Sequence, residues 1–264
     1  MIEARPLPST AMDLEHTLEE ASRRVDAFRS LVAHIPYEAK GVLTSEMLFL
    51  VAAVGNHRPP KIVESGRARG QSTCILGLAF AGVPVVSIER DAHSPDAIVA
   101  TERCAGLENV ELHFGDANVE LPARVSAGDI VVIDGPKGWH ALKLALTVLA
   151  KRRPAAVFVH DCYKGQAERR FLERHVPGAF FSDDARFEAG FAELDGPVFE
   201  TARREGFESW QPHAFDGRTQ ASYGPTYACL PWRQGIRYGS VLRRMVVART
   251  ISRIRRSFMK RMGE

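Results

Sequence analysis

The chain has 264 residues, of which 45% are hydrophobic and 25% are charged. This composition is typical of a soluble globular protein and excludes a disordered chain, and the length allows one sizeable domain with added segments. The formal net charge is only +3, and the longest apolar run, residues 47–54, is too short to cross a bilayer.

The first 57 residues are predicted to form an N-terminal helical segment. Between residues 12 and 34, apolar side chains recur at alternating steps of four and three, which is one stripe of a helix. Residues 44–54 also favour a helix, and both helices are expected to pack over a sheet. The N-terminus lacks the basic start and apolar block of a secretory signal, so we expect no leader peptide.

From residue 61 onward, short β-branched runs alternate with helical patterns. The runs are KIVES, VPVVSIE, VELHFG, DIVVIDG and AAVFVHD, and the helical patterns cover residues 71–81, 94–106, 117–125 and 138–152. The alternation predicts βαβ units, and the nearly continuous apolar character of the runs indicates strands that are covered on both faces. We therefore predict an α/β fold with a doubly wound, mostly parallel, seven-stranded Rossmann-like sheet and helices on both faces.

The pattern between residues 165 and 240 is weaker. AFFSDDARF is predicted to be the sixth strand and PTYACLP the seventh. Between them, about residues 183–222, the chain is rich in aromatic residues and turns, which is typical of an inserted cap. The main domain is thus predicted to span residues 58–240.

Residues 241–264 are predicted to form a basic amphipathic helix. Residues 243–261 contain eight basic residues and no acidic one; removing these eight from the 35 of the chain leaves 27 against 32 acidic residues. The main body is therefore mildly acidic, and we expect no nucleic-acid partner. The helix has four alternative roles: it lies on an anionic membrane surface, docks on an acidic partner or a second subunit, binds nucleic acid, or packs on the body. Its apolar members are Leu242, Met245, Val246, Ile251, Ile254, Phe258 and Met262.

The four cysteines bear on the location of the protein. They lie far apart and include no C-x-x-C pair, so neither a zinc knuckle nor a disulfide framework is expected. Such spacing suits a reducing compartment. We expect a cytoplasmic protein, which is peripheral at the membrane if the basic helix binds there.

Five predicted strands in succession end in or beside a carboxylate. Ligands of open α/β sheets bind at the carboxyl ends of the strands. One such acid can be a helix N-cap or a solvated loop residue, but five together predict a polar binding rim. The residues are Glu64, Glu89, Asp116, Asp134 and Asp161.

The turn after the first strand narrows the class of ligand. It reads Gly66-Arg67-Ala68-Arg69-Gly70, which is neither the G-x-G-x-x-G of a dinucleotide site nor the G-K-[ST] of a P-loop. Glu89 follows the turn at the place of an acid that accepts both hydroxyls of an unphosphorylated ribose. Together they favour a nucleoside site without a diphosphate.

These segments resemble class I S-adenosylmethionine-dependent methyltransferases, over about residues 40–165. VESGRARGQS is similar to their first motif, VVSIERD to their second, and HFGDA to the segment that lines the adenine. EAKG at residues 38–41, Ser72, and the D-x-x-K of IDGPKG resemble O-methyltransferases of the catechol, caffeoyl-CoA and sugar types. The resemblance implies S-adenosyl-L-methionine as cofactor and a hydroxyl of a sugar, phenolic or natural-product precursor as methyl acceptor.

The resemblance also implies roles for the cofactor-binding residues. The first motif would lie along the methionine and ribose, Ser72 would contact the methionine carboxylate at a helix N-terminus, and Glu89 would take the ribose hydroxyls. The implied set is Glu64, Gly66, Gly70, Ser72, Glu89, and, beside the adenine, Asp116 and Ala117.

For the reaction itself, the resemblance implies Asp134 and Lys137 as catalytic residues. Asp134 and Asp161 would hold a divalent metal, Mg²⁺ in the family, and Lys137 would act as a base with a pKa lowered by burial and by the cation. Cys162 stands where the family has Asn or Asp, and a thiol is a poor ligand for a hard cation. A weak Mg²⁺ site, another metal or no metal therefore stay open, with His160 and His140 as substitute ligands.

Other functions stay open as well. A metal-dependent hydrolase or oxygenase would keep the fold without methyl transfer, and a catalytically silent scaffold would bind S-adenosylmethionine without turnover. The N-terminal helices and the basic tail are candidate surfaces of a homodimer. Large aromatic residues are candidates for a pocket wall, although most such residues are simply packed: Trp139, Tyr163, Trp210, Tyr223, Tyr227 and Trp232.

Overall fold

Helices and strands alternate along the chain as the sequence pattern predicts. The computed structural model of the protein describes residues 12–36, 41–204 and 226–262. The strands are β1 (Ile62–Ser65), β2 (Val85–Glu89), β3 (Val110–Phe114), β4 (Ile130–Ile133), β5 (Ala156–Val159), β6 (Phe180–Phe181) and β7 (Ala228–Pro231). The helices are α1 (Leu14–Val32), α2 (Thr44–Val54), α3 (Gln71–Ala79), α4 (Pro95–Cys104), α5 (Ala117–Arg124), α6 (Trp139–Lys151), α7 (Ala167–His175), α8 (Ala185–Phe191), a 3-10 helix (Ala192–Asp195), α9 (Gly196–Arg204) and α10 (Tyr238–Met262).

The seven strands form one sheet in the order β3-β2-β1-β4-β5-β7-β6. Strands β1 to β5 are parallel, whereas β7 runs antiparallel to both of its neighbours. The predicted α/β fold with a mostly parallel, seven-stranded sheet is therefore confirmed. This order, with one reversed strand, is that of the Rossmann-like methyltransferase fold, and it brings the carboxyl ends of the five parallel strands to one edge of the sheet.

Helices cover both faces of the sheet because its central strands are apolar along their whole length. β4 reads IVVI and β5 reads AVFV, and all eight residues are buried. One face is covered by α1, α2, α3 and α8, and the other by α5, α6, α7 and the start of α10. Phe49 of α2 is central to the first face, with its ring 6.4 Å from that of Phe158 and 5.5 Å from that of Phe180.

The predicted cap is described only in part. Phe187, Phe191 and Leu194 belong to the same core as α2, so residues 185–195 pack as part of the helical layer on that face. Residues 205–225 lie outside the described residues, and the predictions for Trp210 and Tyr223 lie there too.

The C-terminal helix has two different sides. Tyr238, Val241 and Met245 are buried on the core, whereas Val246 and Val247 are 50% and 60% exposed. Within the described ranges, every helix is too short or too polar to cross a bilayer.

Candidate functional site

The five carboxylates predicted to form the rim differ in their surroundings. They lie at or just beyond the carboxyl ends of β1 to β5, so they share one edge of the sheet. Glu64 is completely buried, Asp116 is exposed, and Glu89, Asp134 and Asp161 are half-buried. The edge therefore has a buried centre at Glu64 and an open side at Asp116, beyond β3. Asp134 and Asp161 form an acidic pair beyond β4 and β5.

The glycines of the turn after β1 are needed by the protein's own backbone. Gly66 has a φ of +86°, and a Cβ there would lie 2.3 Å from the backbone nitrogen of Gly135 in the turn after β4. Gly70 has a φ of +80° and precedes α3, where a Cβ would lie 3.1 Å from Ala100. Only glycine tolerates both demands. One turn packing against another thus explains Gly66, and this packing does not by itself require a ligand.

Glu64 is held by three hydroxyl groups. Ser72 and Thr73 each donate a hydrogen bond to its carboxylate at 2.5 Å, and Ser87 donates another at 2.6 Å. Burial raises the pKa of Glu64, and these hydrogen bonds oppose that rise. The carboxylate joins β1, β2 and the first turn of α3. Because it orients Ser72, Glu64 positions the residue that is predicted to meet the methionine carboxylate.

Glu89 faces the glycine turn. One carboxylate oxygen accepts a hydrogen bond from the backbone N–H of Ala68 at 3.1 Å, and the other accepts from the N–H of Arg90 at 2.6 Å. A carboxylate oxygen has a second lone pair, so both oxygens can still accept from a ligand. This placement suits an acid that binds a diol at the mouth of the turn.

Arg67 is a residue whose place the sequence analysis missed. Its side chain is buried, and Nη1 donates hydrogen bonds to the backbone oxygen of Ser87, in the middle of β2, at 2.7 Å and to that of His113, near the end of β3, at 2.9 Å. The guanidinium lies 4.5 Å from the ring centre of Phe114, while Nε and Nη2 have no partner among the described residues. Burial lowers the pKa of Arg67.

Arg67 also lines a small cleft beside the glycine turn. Its volume is about 10 Å³, and its lining includes Arg67, Ala68, Ser72 and Asp134. A single water molecule needs about this much room.

Asp116 and Ala117 lie at the open side of the edge. Asp116 caps α5 and accepts hydrogen bonds from the backbone N–H of Asn118 at 2.9 Å and from its side-chain amide at 2.8 Å. These two bonds lower the pKa of the exposed carboxyl. The helix cap accounts for Asp116 structurally, and its predicted contact with adenine stays a prediction.

Asp134, Asp161, His160 and Lys137 form one ionic cluster beyond β4 and β5. The Lys137 ammonium donates a hydrogen bond to Asp134 Oδ1 and lies 2.7 Å from Asp161 Oδ2. His160 Nδ1 lies 2.5 Å from Asp134 Oδ1, and its Nε2 lies 3.1 Å from the buried carboxylate of Glu46 in α2. The ligand atoms of Asp134, His160 and Asp161 lie within 4.8 Å of one another, as those of a metal site would.

The charges of the cluster support one another. Burial alone would raise the pKa of Asp134, but His160 and Lys137 outweigh it and hold that pKa well below its usual range. Burial alone would lower the pKa of Lys137, yet the two aspartates raise it. Without a cation the two carboxylates therefore favour the ammonium form, and a lysine pKa lowered by burial and by a bound cation stays a prediction. In the same way, Asp134 and Glu46 raise the pKa of His160 despite its burial.

The other two candidate ligands do not join the cluster. The Cys162 side chain is buried in the hydrophobic core beside α6 and α7, and burial raises its pKa to about 12. His140 is exposed at the start of α6, with Nε2 2.9 Å from Nη2 of Arg249 in α10. The suggestion that His140 substitutes as a ligand is wrong, since α6 directs it toward the C-terminal helix.

Glu46 is the second functional candidate that the sequence analysis missed. It accepts hydrogen bonds from the backbone N–H and the hydroxyl of Thr226, at 2.6 and 2.8 Å, and from the N–H of Leu43 at 2.8 Å. A signal was present, because a glutamate inside the apolar helix TSEMLFLVAAV is buried and must find partners. Its partner residue could not be read from the sequence.

The aromatic candidates among the described residues are mainly packed. Trp139 meets Phe171 edge-on at 5.9 Å, and Tyr227 is completely buried with its ring 4.9 Å from that of His160. Tyr163 differs, because its hydroxyl donates to Asp161 Oδ1 at 3.0 Å. Tyr163 is therefore the aromatic residue of this set that donates a hydrogen bond to the ionic cluster, whereas Tyr227 packs its ring against His160.

Solved structures with a similar arrangement include methyltransferases of low sequence identity. The O-methyltransferase TomG from Streptomyces achromogenes, solved with SAM, is 18% identical over 85% of this chain and 94% of its own, with a TM-score of 0.43. A SAM-dependent methyltransferase from Thiobacillus denitrificans, solved with S-adenosyl-L-homocysteine, is 16% identical over 80% of this chain and 98% of its own, with a TM-score of 0.46.

The methyltransferase PaMTH1 from Podospora anserina, solved with SAH, is 14% identical over 89% of this chain and 100% of its own, with a TM-score of 0.44. No protein-family model matches the sequence, and no curated protein matches it significantly. We therefore assign the fold from the strand order and directions, and not from these likenesses.

Proposed function

We propose that the protein is an S-adenosylmethionine-dependent methyltransferase that acts on a hydroxyl group of a small molecule. The observation that carries this proposal is the position of Glu89. It ends β2 at the ligand-binding edge of the sheet and faces the turn after β1, where an acid can accept two ribose hydroxyls. The adenine would lie beside the neighbouring Asp116 and Ala117, beyond β3.

The buried centre of the edge supports the proposal. Glu64 holds Ser72 at the first turn of α3, where the helix N-terminus favours a carboxylate. The methionine part of the cofactor carries such a group. The buried Arg67 side chain lies against β2 and β3 beside this place, and its two unpartnered nitrogen atoms would limit the cost of moving it for a bound cofactor.

Bound S-adenosylmethionine would supply an electrophilic methyl group on its sulfonium. The acceptor oxygen must lose its proton as the oxygen–carbon bond forms and the sulfur–carbon bond breaks. The Lys137 ammonium, which is half-exposed at 52%, can donate a hydrogen bond to that oxygen and stabilise its developing negative charge. Asp161, which is also within reach of solvent, can take the proton. The sequence-based role of Lys137 as a base is thus replaced by a role as a cationic donor.

Titration calorimetry with S-adenosylmethionine and S-adenosylhomocysteine tests the proposal. We expect binding to the natural protein and at least a tenfold loss for Glu89→Ala, because two charge-assisted hydrogen bonds disappear. Glu108→Ala removes an exposed carboxylate at the opposite end of β3 and should not change affinity. No binding at millimolar ligand would exclude both the transferase and the silent S-adenosylmethionine scaffold, and a metal-dependent enzyme of another kind would become the better candidate.

We also propose that α10 attaches the enzyme to an anionic membrane surface. Its buried residues face α6, while Val246, Val247 and Ile251 are exposed on the other side. The stretch from 243 to 261 holds eight basic residues and no acidic one, which complements anionic lipid headgroups better than a second copy of the same basic helix. An attached enzyme would suit an acceptor that is itself carried in a lipid.

Co-sedimentation with vesicles of anionic and of neutral lipid tests the attachment. Val241 and Met245 belong to the core, so point variants are preferable to deletion of the helix. We expect Val247→Glu/Ile251→Glu to lose binding to anionic vesicles, while Val119→Glu, at an exposed valine of α5, retains it. The attachment is refuted if the natural protein binds neutral vesicles as well as anionic ones, or if it binds neither kind. A dimer that the double variant converts to a monomer would instead assign this face to a second subunit.

A further inference from the structure

We propose that the ammonium group of Lys137 occupies the position between Asp134 and Asp161 that a divalent cation would need, so that this site works without a metal. The observation is geometric: one nitrogen atom lies within hydrogen-bond distance of both carboxylates. The catalytic consequence rests on the proposed methyl transfer, but the absence of metal affinity can be measured without it.

The two carboxylates converge because of the sheet. Asp134 and Asp161 follow β4 and β5, which are parallel neighbours with Ile133 opposite Val159. Acids at the ends of neighbouring strands can share one cation, and Lys137 lies three residues after Asp134, close enough to reach both acids. Asp134 and Asp161 would also have to hold a bound Mg²⁺, so the ammonium and the metal ion would compete for the same two carboxylates.

The remaining donors do not complete a metal site around the lysine. His160 has a carboxylate at each ring nitrogen, with Asp134 at Nδ1 and Glu46 at Nε2, so both nitrogens already have partners within the protein. Cys162, in the family's third ligand position, is turned into the core. The hydroxyl of Tyr163 already donates to Asp161. A metal ion would first have to displace Lys137, and its ligands would then be two carboxylates and water.

The charge balance of the cluster supports the same conclusion. Lys137 is a cation that lies between two carboxylates, those of Asp134 and Asp161, so it already supplies the positive charge that a metal ion would bring. The side chain of Lys137 is anchored by both aspartates yet half-exposed, so its third N–H can meet an acceptor oxygen. One ammonium hydrogen bond engages a single oxygen, whereas a metal with open positions can chelate two. The site should therefore accept a lone hydroxyl without requiring a vicinal diol.

Metal-binding measurements on lysine variants test the inference. Binding of Mn²⁺ is followed by the loss of the electron paramagnetic resonance signal of the free ion, and binding of Mg²⁺ by calorimetry. We expect the natural protein to bind neither ion at this site at 1 mM (order of magnitude, as for a weak site). Lys137→Ala should gain one Mn²⁺ site with an affinity at least tenfold higher than that of the natural protein. The double variant Lys137→Ala/Asp161→Asn should lose this site again.

Two controls keep the result interpretable. Lys164→Ala removes an exposed lysine whose Nζ lies 4.0 Å from Asp183, and it should gain no site. Lys137→Met retains the apolar length of the side chain if the alanine variant folds poorly. An equally tight site in the natural protein, or no gain in either lysine variant, would overturn the inference. Failure of S-adenosylhomocysteine to bind would refute the proposed function and leave the metal result standing.

Discussion

Glu46 and His160 lie side by side although 114 residues separate them, with the glutamate carboxylate 3.1 Å from the imidazole Nε2. This contact joins the N-terminal helix α2 to the end of β5. Because Glu46 also accepts from Thr226, three distant segments meet at one carboxylate directly behind the acidic pair. The N-terminal segment is thus part of the candidate site and not only a cover for the sheet.

Replacing Glu46 should destabilise the protein strongly. Glu46→Ala leaves two donors of Thr226, the N–H of Leu43 and the buried imidazole of His160 without their acceptor. Loss of one partner of a buried ion pair costs about 3–5 kcal/mol. Urea unfolding measures the difference, with Glu108→Ala as an exposed control. A loss below about 1 kcal/mol, the range of surface pairs, would contradict the structural role.

Asp195 should make stability depend on pH. Burial raises its pKa to about 7, while its carboxyl oxygens accept from the N–H of Ser45 at 2.9 Å and from its hydroxyl at 2.6 Å. In the unfolded chain the pKa is about 3.9, so between about pH 4 and 7 only the unfolded state loses this proton. The contribution of Asp195 to the free energy of unfolding is therefore complete below pH 4. It is lost as the pH rises to 7, by up to about 4 kcal/mol.

Asp195→Asn should remove that contribution. Its amide oxygen can still accept from the Ser45 N–H, and an amide has no charge to bury. In urea unfolding, the free energy of unfolding should fall less between pH 5 and pH 8 for the variant than for the natural protein. An equal fall in both proteins would assign the pH dependence to other buried acids.

Truncation of Arg67 should open the nucleoside cleft. If the closed arrangement competes with the ligand, Arg67→Ala should bind S-adenosylhomocysteine roughly tenfold more tightly, because less of the protein occupies the closed form. Calorimetry measures the affinity, and circular dichroism verifies the fold. Arg170→Ala removes an exposed positive charge on α7 and should leave affinity unchanged. Weaker binding by Arg67→Ala would show instead that the guanidinium contacts the ligand.

Lys137 should matter for turnover and not for cofactor affinity. Lys137→Ala removes the cation beside the acceptor oxygen, and we expect kcat to fall by about 100-fold or more. The dissociation constant of S-adenosylhomocysteine should change less than threefold (order of magnitude), since the cofactor residues remain. Lys137→Arg keeps the charge and should recover part of the rate. Unchanged turnover in Lys137→Ala would remove Lys137 from the mechanism.

Much of the fold was predictable because local spacing reflects local structure. Apolar steps of three and four indicated α1, and β-branched runs indicated β1 to β5, within a few residues of their observed bounds. The short β6 was harder to bound, because a two-residue strand owes its place to pairing with β7. The five acids at the strand ends were predictable for the same reason, since parallel strands bring their carboxyl ends to one edge.

The sequence by itself therefore determined the parallel sheet, the edge at which ligands bind and the acids along that edge. Only the tertiary structure decided that Lys137 lies between Asp134 and Asp161, that Arg67 is buried against β2 and β3, that Cys162 turns into the core and that Glu46 supports His160. The physical reason is that periodicity depends on neighbours along the chain. The direction of a side chain and its charge partner depend instead on packing between segments that are far apart in sequence.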